Sequence, residues 1–237
     1  EREWIVPDAG ATLTKHTSNH NTMLVDGAGQ QGEGARWLNS ELQLRNECNP
    51  RFVHSQSAPL FDYFVGDASR LYREEAGLSK FLRHFIYVRP NTIVIVDELK
   101  SEQPTTFEWL LHSPGNIAIE PDAHAQLHIN EACIGVKWSG SSPLTPTTET
   151  MTVEAEYPNE DWRALNTLSL KSGRTNRMWI ATVMATSKET MKQVALAEPV
   201  PGELSITVQT ETEPMHLSLV GIGTPRSSVS ILEPPER

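Results

Sequence analysis

Asp8 and His20 are the residues of this sequence whose types and spacing best suit metal chemistry. Asp8 follows the apolar residues 4–7, and His20 stands where a polar loop enters the apolar residues 23–25. A carboxylate and a neutral imidazole at one sheet edge can share a divalent ion, most plausibly zinc, if a further ligand arrives from elsewhere. A hydrogen-bonded Asp/His pair beside a turn is the alternative interpretation.

Strand patterns, which would position these residues, fill almost the whole chain. Alternation over residues 82–89 places His84 and its apolar neighbours on one face, and residues 89–92 predict a hairpin. His84 and His112 lie on apolar strands and are expected to be core histidines. A helical turn is predicted only within residues 70–80. The predicted strands span residues 3–6, 21–26, 36–45, 51–56, 61–67, 82–89, 92–99, 105–112, 126–130, 133–138, 150–157, 177–186, 204–210 and 215–220.

Many short strands separated by turn residues predict an all-β fold, a layered antiparallel β-sandwich that forms a single domain over residues 1–237. The breaks at Pro143, Pro146 and residues 199–202 are interpreted as long loops, and residues 227–237 as a frayed tail. No apolar run approaches the roughly 18 residues of a membrane helix. Cys48 and Cys133 could pair in an oxidising compartment, but two buried free thiols are favoured.

Charge is distributed unevenly along the chain, whose net charge is −10. Residues 1–100 contain 11 basic and 13 acidic residues, whereas residues 101–237 contain 9 and 17. The acidic half disfavours binding to nucleic acid. The less acidic half contains both metal candidates, which is consistent with an anionic ligand there.

Five segments, in order and with matching spacing, resemble heparinase II/III-like polysaccharide lyases over residues 4–113. The most specific is the His-Asn-Thr strand, HNTMLVDGAGQ at residues 20–30. The others are FDYFVGDA at 61–68, LRHFIYVRP at 82–90, IVIVDEL at 93–99 and FEWLLH at 107–112. The resemblance implies the C-terminal β domain of an enzyme whose N-terminal (α/α) toroid and His-rich strand precede this chain. A periplasmic or secreted location is expected, with the cytoplasm as the alternative.

The resemblance also implies site residues and a reaction. An Asp at the position of Asp8 is a metal ligand in the family, and His20 is its second protein ligand, with a third expected from the upstream strand. The loop between the two is shorter here than in the longer members. The reaction would be β-elimination on a uronic acid, in which a base removes the C5 proton and an acid protonates the leaving oxygen. Because the toroid supplies those groups, the isolated chain is expected to be inactive.

His16, Gln30 and Arg36 are the candidate substrate-binding residues. His16 lies in a polar loop four residues before His20. Gln30 belongs to the Gly-rich residues 27–34, which lack the Lys and the strand-loop-helix context of a phosphate loop and predict a hairpin loop instead. Arg36 with Trp37 could form a sugar platform. The expected partners are an acidic polysaccharide or oligosaccharide and the toroid, with no nucleic acid and no membrane.

A second function class stays open, a non-catalytic carbohydrate-binding or interaction β-sandwich. In that class Trp37, Trp138 or Trp162 would form an exposed platform, although Trp in an all-β protein usually lies in the core. Asp8 and His20 close together would favour the lyase domain, and a row of exposed Trp would favour the binding module. A sandwich glycosidase would need two carboxylates facing across a cleft, and no motif indicates such a pair.

Overall fold

The computed structural model describes residues 4–10, 12–36, 50–155, 163–186, 195–200, 202–209 and 214–220. These residues form antiparallel strands and two short 3-10 turns, Thr17–Asn19 and Glu74–Ala76. The strands are β1 (Met23–Val25), β2 (Arg51–Ser57), β3 (Phe61–Asp67), β4 (Leu78–Val88), β5 (Thr92–Thr105), β6 (Phe107–Ser113), β7 (Asn116–Glu120), β8 (His124–Ile129), β9 (Ala132–Gly140), β10 (Leu144–Val153), β11 (Arg163–Ser172), β12 (Thr175–Ala185), β13 (Ala195–Val200), β14 (Glu203–Gln209) and β15 (Pro214–Val220).

The described strands form three sheets stacked in layers. A central sheet has the order β2-β3-β4-β5-β12-β9-β8-β7, a second has the order β1-β6-β11-β10, and a third has the order β13-β14-β15. One core lies between the central and second sheets, where Trp109 and Leu168 meet Phe81 and Ile180. The predicted layered antiparallel β-sandwich is therefore confirmed.

A second core covers the opposite face of the central sheet. Val94 and Val96 of β5 pack there with Leu204 and Leu217 of the third sheet, while Ile95 packs into the first core. A strand covered on both faces needs apolar residues at consecutive positions, which is why residues 93–96 form an unbroken apolar run.

Most predicted strands are present, and the predicted hairpin at residues 89–92 joins β4 to β5. The predicted strand at 3–6 is wrong: residues 5 and 6 form bends, Trp4 is exposed, and Pro7 supplies no N–H to a ladder. The predicted strand at 36–45 lies almost entirely outside the described residues. The helical turn predicted within 70–80 is the 3-10 turn at 74–76, which Gly77 separates from the start of β4.

Three strands are missing from the prediction, namely β7, β11 and β13. In β11, polar residues such as Asn166 and Ser169 lie between the buried Leu165, Leu168 and Leu170, so the apolar pattern is diluted. Pro146 was expected to interrupt the sheet pattern, yet β10 runs through it and pairs it with Leu170. The strand tolerates this proline because β10 is the outermost of the described strands in its sheet.

No helix in the described ranges is long and apolar enough to cross a membrane. Cys133 is half-buried and forms no disulfide with any described residue, and Cys48 lies outside them.

Candidate functional site

Asp8 and His20 lie side by side, as the sequence predicted for either a metal site or a hydrogen-bonded pair. His20 Nδ1 is 2.7 Å from Asp8 Oδ2, and the two side chains are 43% and 52% exposed. Asp8 Oδ1 accepts a 2.8 Å hydrogen bond from the N–H of Gly10, which fixes the carboxylate within its own turn. A carboxylate oxygen and an imidazole nitrogen thus meet at the surface, with solvent access to both.

The 3-10 turn Thr17–Asn19 places His20. The N–H of His20 donates to the Thr17 carbonyl at 3.1 Å and closes the turn. The N–H of Ala9 donates to the Asn19 carbonyl at 3.4 Å, which brings the Asp8 segment against this turn. Arg163 Nη2 donates to the Ala9 carbonyl at 2.8 Å, so the same segment is also held from β11.

Asn21, next to His20, fastens the site to the sandwich. Its Nδ2 donates to the Pro7 carbonyl at 3.1 Å, and its Oδ1 accepts a 2.8 Å bond from the N–H of His112 on β6. Its own carbonyl accepts a 2.7 Å bond from Arg83 Nη1 on β4. One asparagine therefore connects the Asp8 segment, the His20 turn and two strands from different sheets.

Arg83 is held in turn by Asp97 on β5. Its Nε and Nη2 donate to the two carboxylate oxygens of Asp97, each at 2.7 Å, and the Asp97 side chain is fully buried. This bidentate pairing aligns the guanidinium so that its remaining nitrogen reaches Asn21. The neighbouring charge of Asp97 raises the pKa of Arg83 despite its burial, so the residue stays cationic.

His112 is completely buried behind the pair, as predicted for a core histidine. Its Nδ1 lies 2.9 Å from Asn21 Oδ1, and its Nε2 lies 2.8 Å from the Ser18 carbonyl oxygen. Burial lowers the pKa of His112, and His20 lowers it further, while the Ser18 carbonyl and Asp8 act in the opposite direction. The neutral ring can donate to one of these two oxygen acceptors at a time.

His16 lies on the other side of the same turn. Its Nδ1 is 3.2 Å from Glu33 Oε1, and Glu33 Oε2 accepts a 3.0 Å bond from the N–H of Thr17. Thr17 Oγ1 accepts a 2.7 Å bond from the N–H of Gln30. These contacts fold the loop of residues 27–34 against the turn and leave the His16 ring partly exposed.

Gln30 lies within this loop, and Arg36 follows it. The Gln30 backbone forms a bridge with Tyr72, and its side chain interacts with the Tyr72 hydroxyl. Burial raises the pKa of Tyr72 to about 12, so the hydroxyl keeps its proton and donates to the Met23 carbonyl. Arg36 is exposed and bridges to Thr14. The loop thus brings His16 and Gln30 together around Thr17, and Arg36 follows two residues after its end.

The donor types at Asp8 and His20 fit a divalent metal such as zinc. In the part of the chain that the structure describes, no third His, Cys, Asp or Glu joins them. The remaining ligands of such an ion would have to be water or residues outside the described ranges.

The comparisons with known proteins identify the family. The heparinase II/III-like C-terminal family model matches residues 6–207, and the chain belongs to this family. No curated protein matches the chain.

Solved structures show the same fold. A heparinase III structure is similar with a TM-score of 0.65 at 15% identity, over 90% of this chain and 34% of that one. A second heparinase III structure gives 0.64 at 14% identity, over 90% and 33%. The heparan sulfate lyase HepC from Pedobacter heparinus gives 0.65 at 10% identity, over 94% and 35%. The chain spans about a third of the length of these enzymes.

The positioning roles of Asn21, Arg83 and Glu33 were not predicted from the sequence. Asn21 was part of the His-Asn-Thr motif, yet nothing in the pattern indicated which strands its side chain would join. Arg83 on a mostly apolar strand was a usable signal, because a charged residue flanked by core positions needs a buried partner. Glu33 gave no signal, since an acidic residue in a Gly-rich loop is usually solvated.

Proposed function

We propose that this chain is the C-terminal β domain of a polysaccharide lyase that cleaves uronic-acid-containing polysaccharide by β-elimination. The observation that carries the proposal is the 2.7 Å approach of Asp8 and His20 in a chain of the heparinase II/III-like C-terminal family. The neighbouring structures named as heparinase III and heparan sulfate lyase support an acidic polysaccharide as the substrate class.

In this proposal, Asp8 and His20 hold a structural divalent metal, with zinc the best match to a carboxylate and an imidazole. A bound zinc ion would supply positive charge that fixes the two side chains together. The role of this chain's residues is to hold the turn at 17–19 and the loop at 27–34 in place. The hydrogen bonds of Asn21 and Glu33 support that role, because Asn21 ties the segment after the turn to β6 and Glu33 ties the loop to the turn.

His16, Gln30 and Arg36 are proposed to face the sugar. The exposed Arg36 guanidinium suits a uronate carboxylate, which it can bind through two parallel N–H donors. The partly exposed His16 ring can donate to a hydroxyl or a carboxylate at the same loop. The acid and the base of the reaction are proposed to come from a helical toroid, so this domain closes one side of the cleft.

The alternative, a binding module with a Trp platform, receives no support from Trp138, which is 5% exposed and packs in the first core. Trp37 and Trp162 lie outside the described residues.

The proposed metal site can be tested by titrating the chain with Zn²⁺ in a calorimeter. The titration uses a parent that carries Cys133→Ser, so that the Cys133 thiol cannot bind the metal. We expect one equivalent to bind to this parent, and we expect Asp8→Ala and His20→Ala each to weaken binding by about tenfold or more, because each removes one ligand. Metal content after dialysis, measured by elemental analysis, gives an independent readout.

Glu120 and His124 provide a matched control, because they form another carboxylate–imidazole pair, 3.1 Å apart, at the surface. The double variant Glu120→Ala/His124→Ala should leave zinc binding unchanged. Variants at Asp8 and His20 that bind zinc as the wild type does would contradict the proposed site.

A further inference from the structure

Cys133, His128 and Gln126 form a polar cluster on the hairpin of β8 and β9, on strands that contribute nothing to the site of Asp8 and His20. Cys133 is directly opposite His128 in the register, and Gln126 precedes His128 by two residues. Side chains alternate between the two faces of a strand, so all three share one face. Ala125 and Leu127 point into the first core, which places the cluster on the opposite face of the central sheet.

The three donor atoms of the cluster converge. Cys133 Sγ lies 3.7 Å from His128 Nε2 and 3.9 Å from Gln126 Oε1, and His128 Nε2 lies 3.1 Å from Gln126 Oε1. Tetrahedral zinc with ordinary bond lengths separates a sulfur ligand from a nitrogen or oxygen ligand by about 3.5 Å, and a nitrogen from an oxygen ligand by about 3.4 Å. Each observed spacing differs from these values by only a few tenths of an ångström, which side-chain rotation can absorb.

We propose that Cys133, His128 and Gln126 form a binding site for one thiophilic d¹⁰ cation of the Zn²⁺ and Cd²⁺ class. Thiolate and imidazole are the ligands that such cations prefer, and the carboxamide oxygen is a weaker third ligand, with water as the fourth. Two neighbouring hydrogen-bonded strands carry the three residues, so the site needs no rearrangement of the backbone.

Binding at this cluster requires a balanced exchange of protons. The Cys133 thiol releases its proton to solvent and bonds to the cation as a thiolate. His128 binds through the lone pair of Nε2 and carries its proton on Nδ1, so its hydrogen bond to Gln126 is replaced by coordination. One proton leaves for each cation bound by a neutral Cys–His pair, and the affinity therefore rises with pH.

The site can be tested with Cd²⁺ by ultraviolet difference absorbance, because a cadmium–thiolate bond produces a charge-transfer band. The parent protein carries Cys48→Ser, so Cys133 is its one thiol. We expect a band that saturates at one equivalent and is absent in Cys133→Ser. His128→Gln should weaken the affinity by about tenfold or more, and Gln126→Leu by less. Circular dichroism and thermal unfolding verify that each variant is folded.

His124→Gln is the matched control, because His124 lies on the same face of β8 but pairs with Glu120. It should leave the cadmium affinity within about twofold of the parent. Asp8→Ala should also keep the band, which separates this site from the proposed metal site at Asp8 and His20. The proposal would be overturned if the folded parent showed no band. It would also be overturned if His128→Gln bound cadmium with unchanged affinity, because a lone thiol would then bind the metal.

Discussion

At the scale of single residues, the approach of Asp8 and His20 depends on groups that are not part of the pair. Asn21 is held by Arg83 and His112, and Arg83 is held by the buried carboxylate of Asp97. Removing one partner of a buried ion pair typically costs about 3–5 kcal/mol of stability, because the other charge is left without compensation. The geometry of the Asp8–His20 pair at the surface therefore depends on the Arg83–Asp97 ion pair in the interior.

His112 gives this arrangement a dependence on pH. Its pKa is lowered in the folded protein, whereas the unfolded ring has an ordinary pKa of about 6.5. As the pH falls through that value, the unfolded chain takes up a proton that the folded ring does not, so the free energy of unfolding declines. We expect His112→Gln to lack this pH dependence. Below pH 6.5, the free energy of unfolding of the wild type should fall relative to that of the variant by up to about 1.4 kcal/mol per pH unit.

Urea unfolding between pH 5.5 and pH 8 measures this difference. His216→Gln is the control, because His216 is exposed and bonds to Thr207 on the neighbouring strand. Equal pH dependence in the wild type and His112→Gln would show that the buried ring takes up protons as readily as the unfolded one does.

At the scale of elements, the loop of residues 27–34 packs very closely against the turn at 17–19, and Gly29 lies at the closest point. A Cβ atom on Gly29 would lie 1.8 Å from Glu33 Oε2 and 2.4 Å from Thr17 Oγ1. We expect Gly29→Ala to displace Glu33 from Thr17 and to lower the free energy of unfolding by about 1–3 kcal/mol. Thermal and urea unfolding measure the effect.

Gly66 on β3 is the matched control for Gly29, because an added Cβ there would meet nothing within 4 Å. Gly66→Ala should leave stability within about 0.5 kcal/mol of the wild type or raise it slightly. If both alanine variants were equally stable, the close packing of the loop at Gly29 would contribute nothing to the free energy of unfolding.

Elements with a strong local pattern were predictable from the sequence. β3 was predicted with its observed ends because its residues alternate between faces, and β5 was recognised by its apolar run. β11 was not, because polar residues dilute its apolar pattern and its partner β6 lies far away in the sequence. The pattern of apolar residues along a strand indicates which of its faces are buried, but it does not indicate which strand will pair with it.

The same limit applies to the candidate site. The types of Asp8 and His20 and their position at the start of a strand were readable from the sequence, and their proximity follows the prediction. The tertiary bonds of Asn21 to His112, across 91 residues of sequence, were beyond any local pattern. Metal binding at Asp8 and His20 remains a prediction that only the titration can test.

At the scale of the whole molecule, the chain spans about a third of the length of the heparinase structures that it resembles. If the acid and the base come from a toroid, the isolated chain should release no unsaturated uronate from heparan sulfate, alginate or ulvan. The ultraviolet absorbance of the new double bond follows the reaction. Turnover by the isolated chain, lost in a variant such as His16→Ala, would place the reaction in this domain instead.

Pro146 affects how readily this protein can pair with further copies of itself. It lies on β10, the outermost described strand of the second sheet, as the third residue of a regular ladder with β11. Proline on such a strand usually turns its nitrogen toward solvent and offers no N–H there. An approaching copy would find its hydrogen-bonding row interrupted, so this flank of the sandwich is protected against strand-by-strand aggregation.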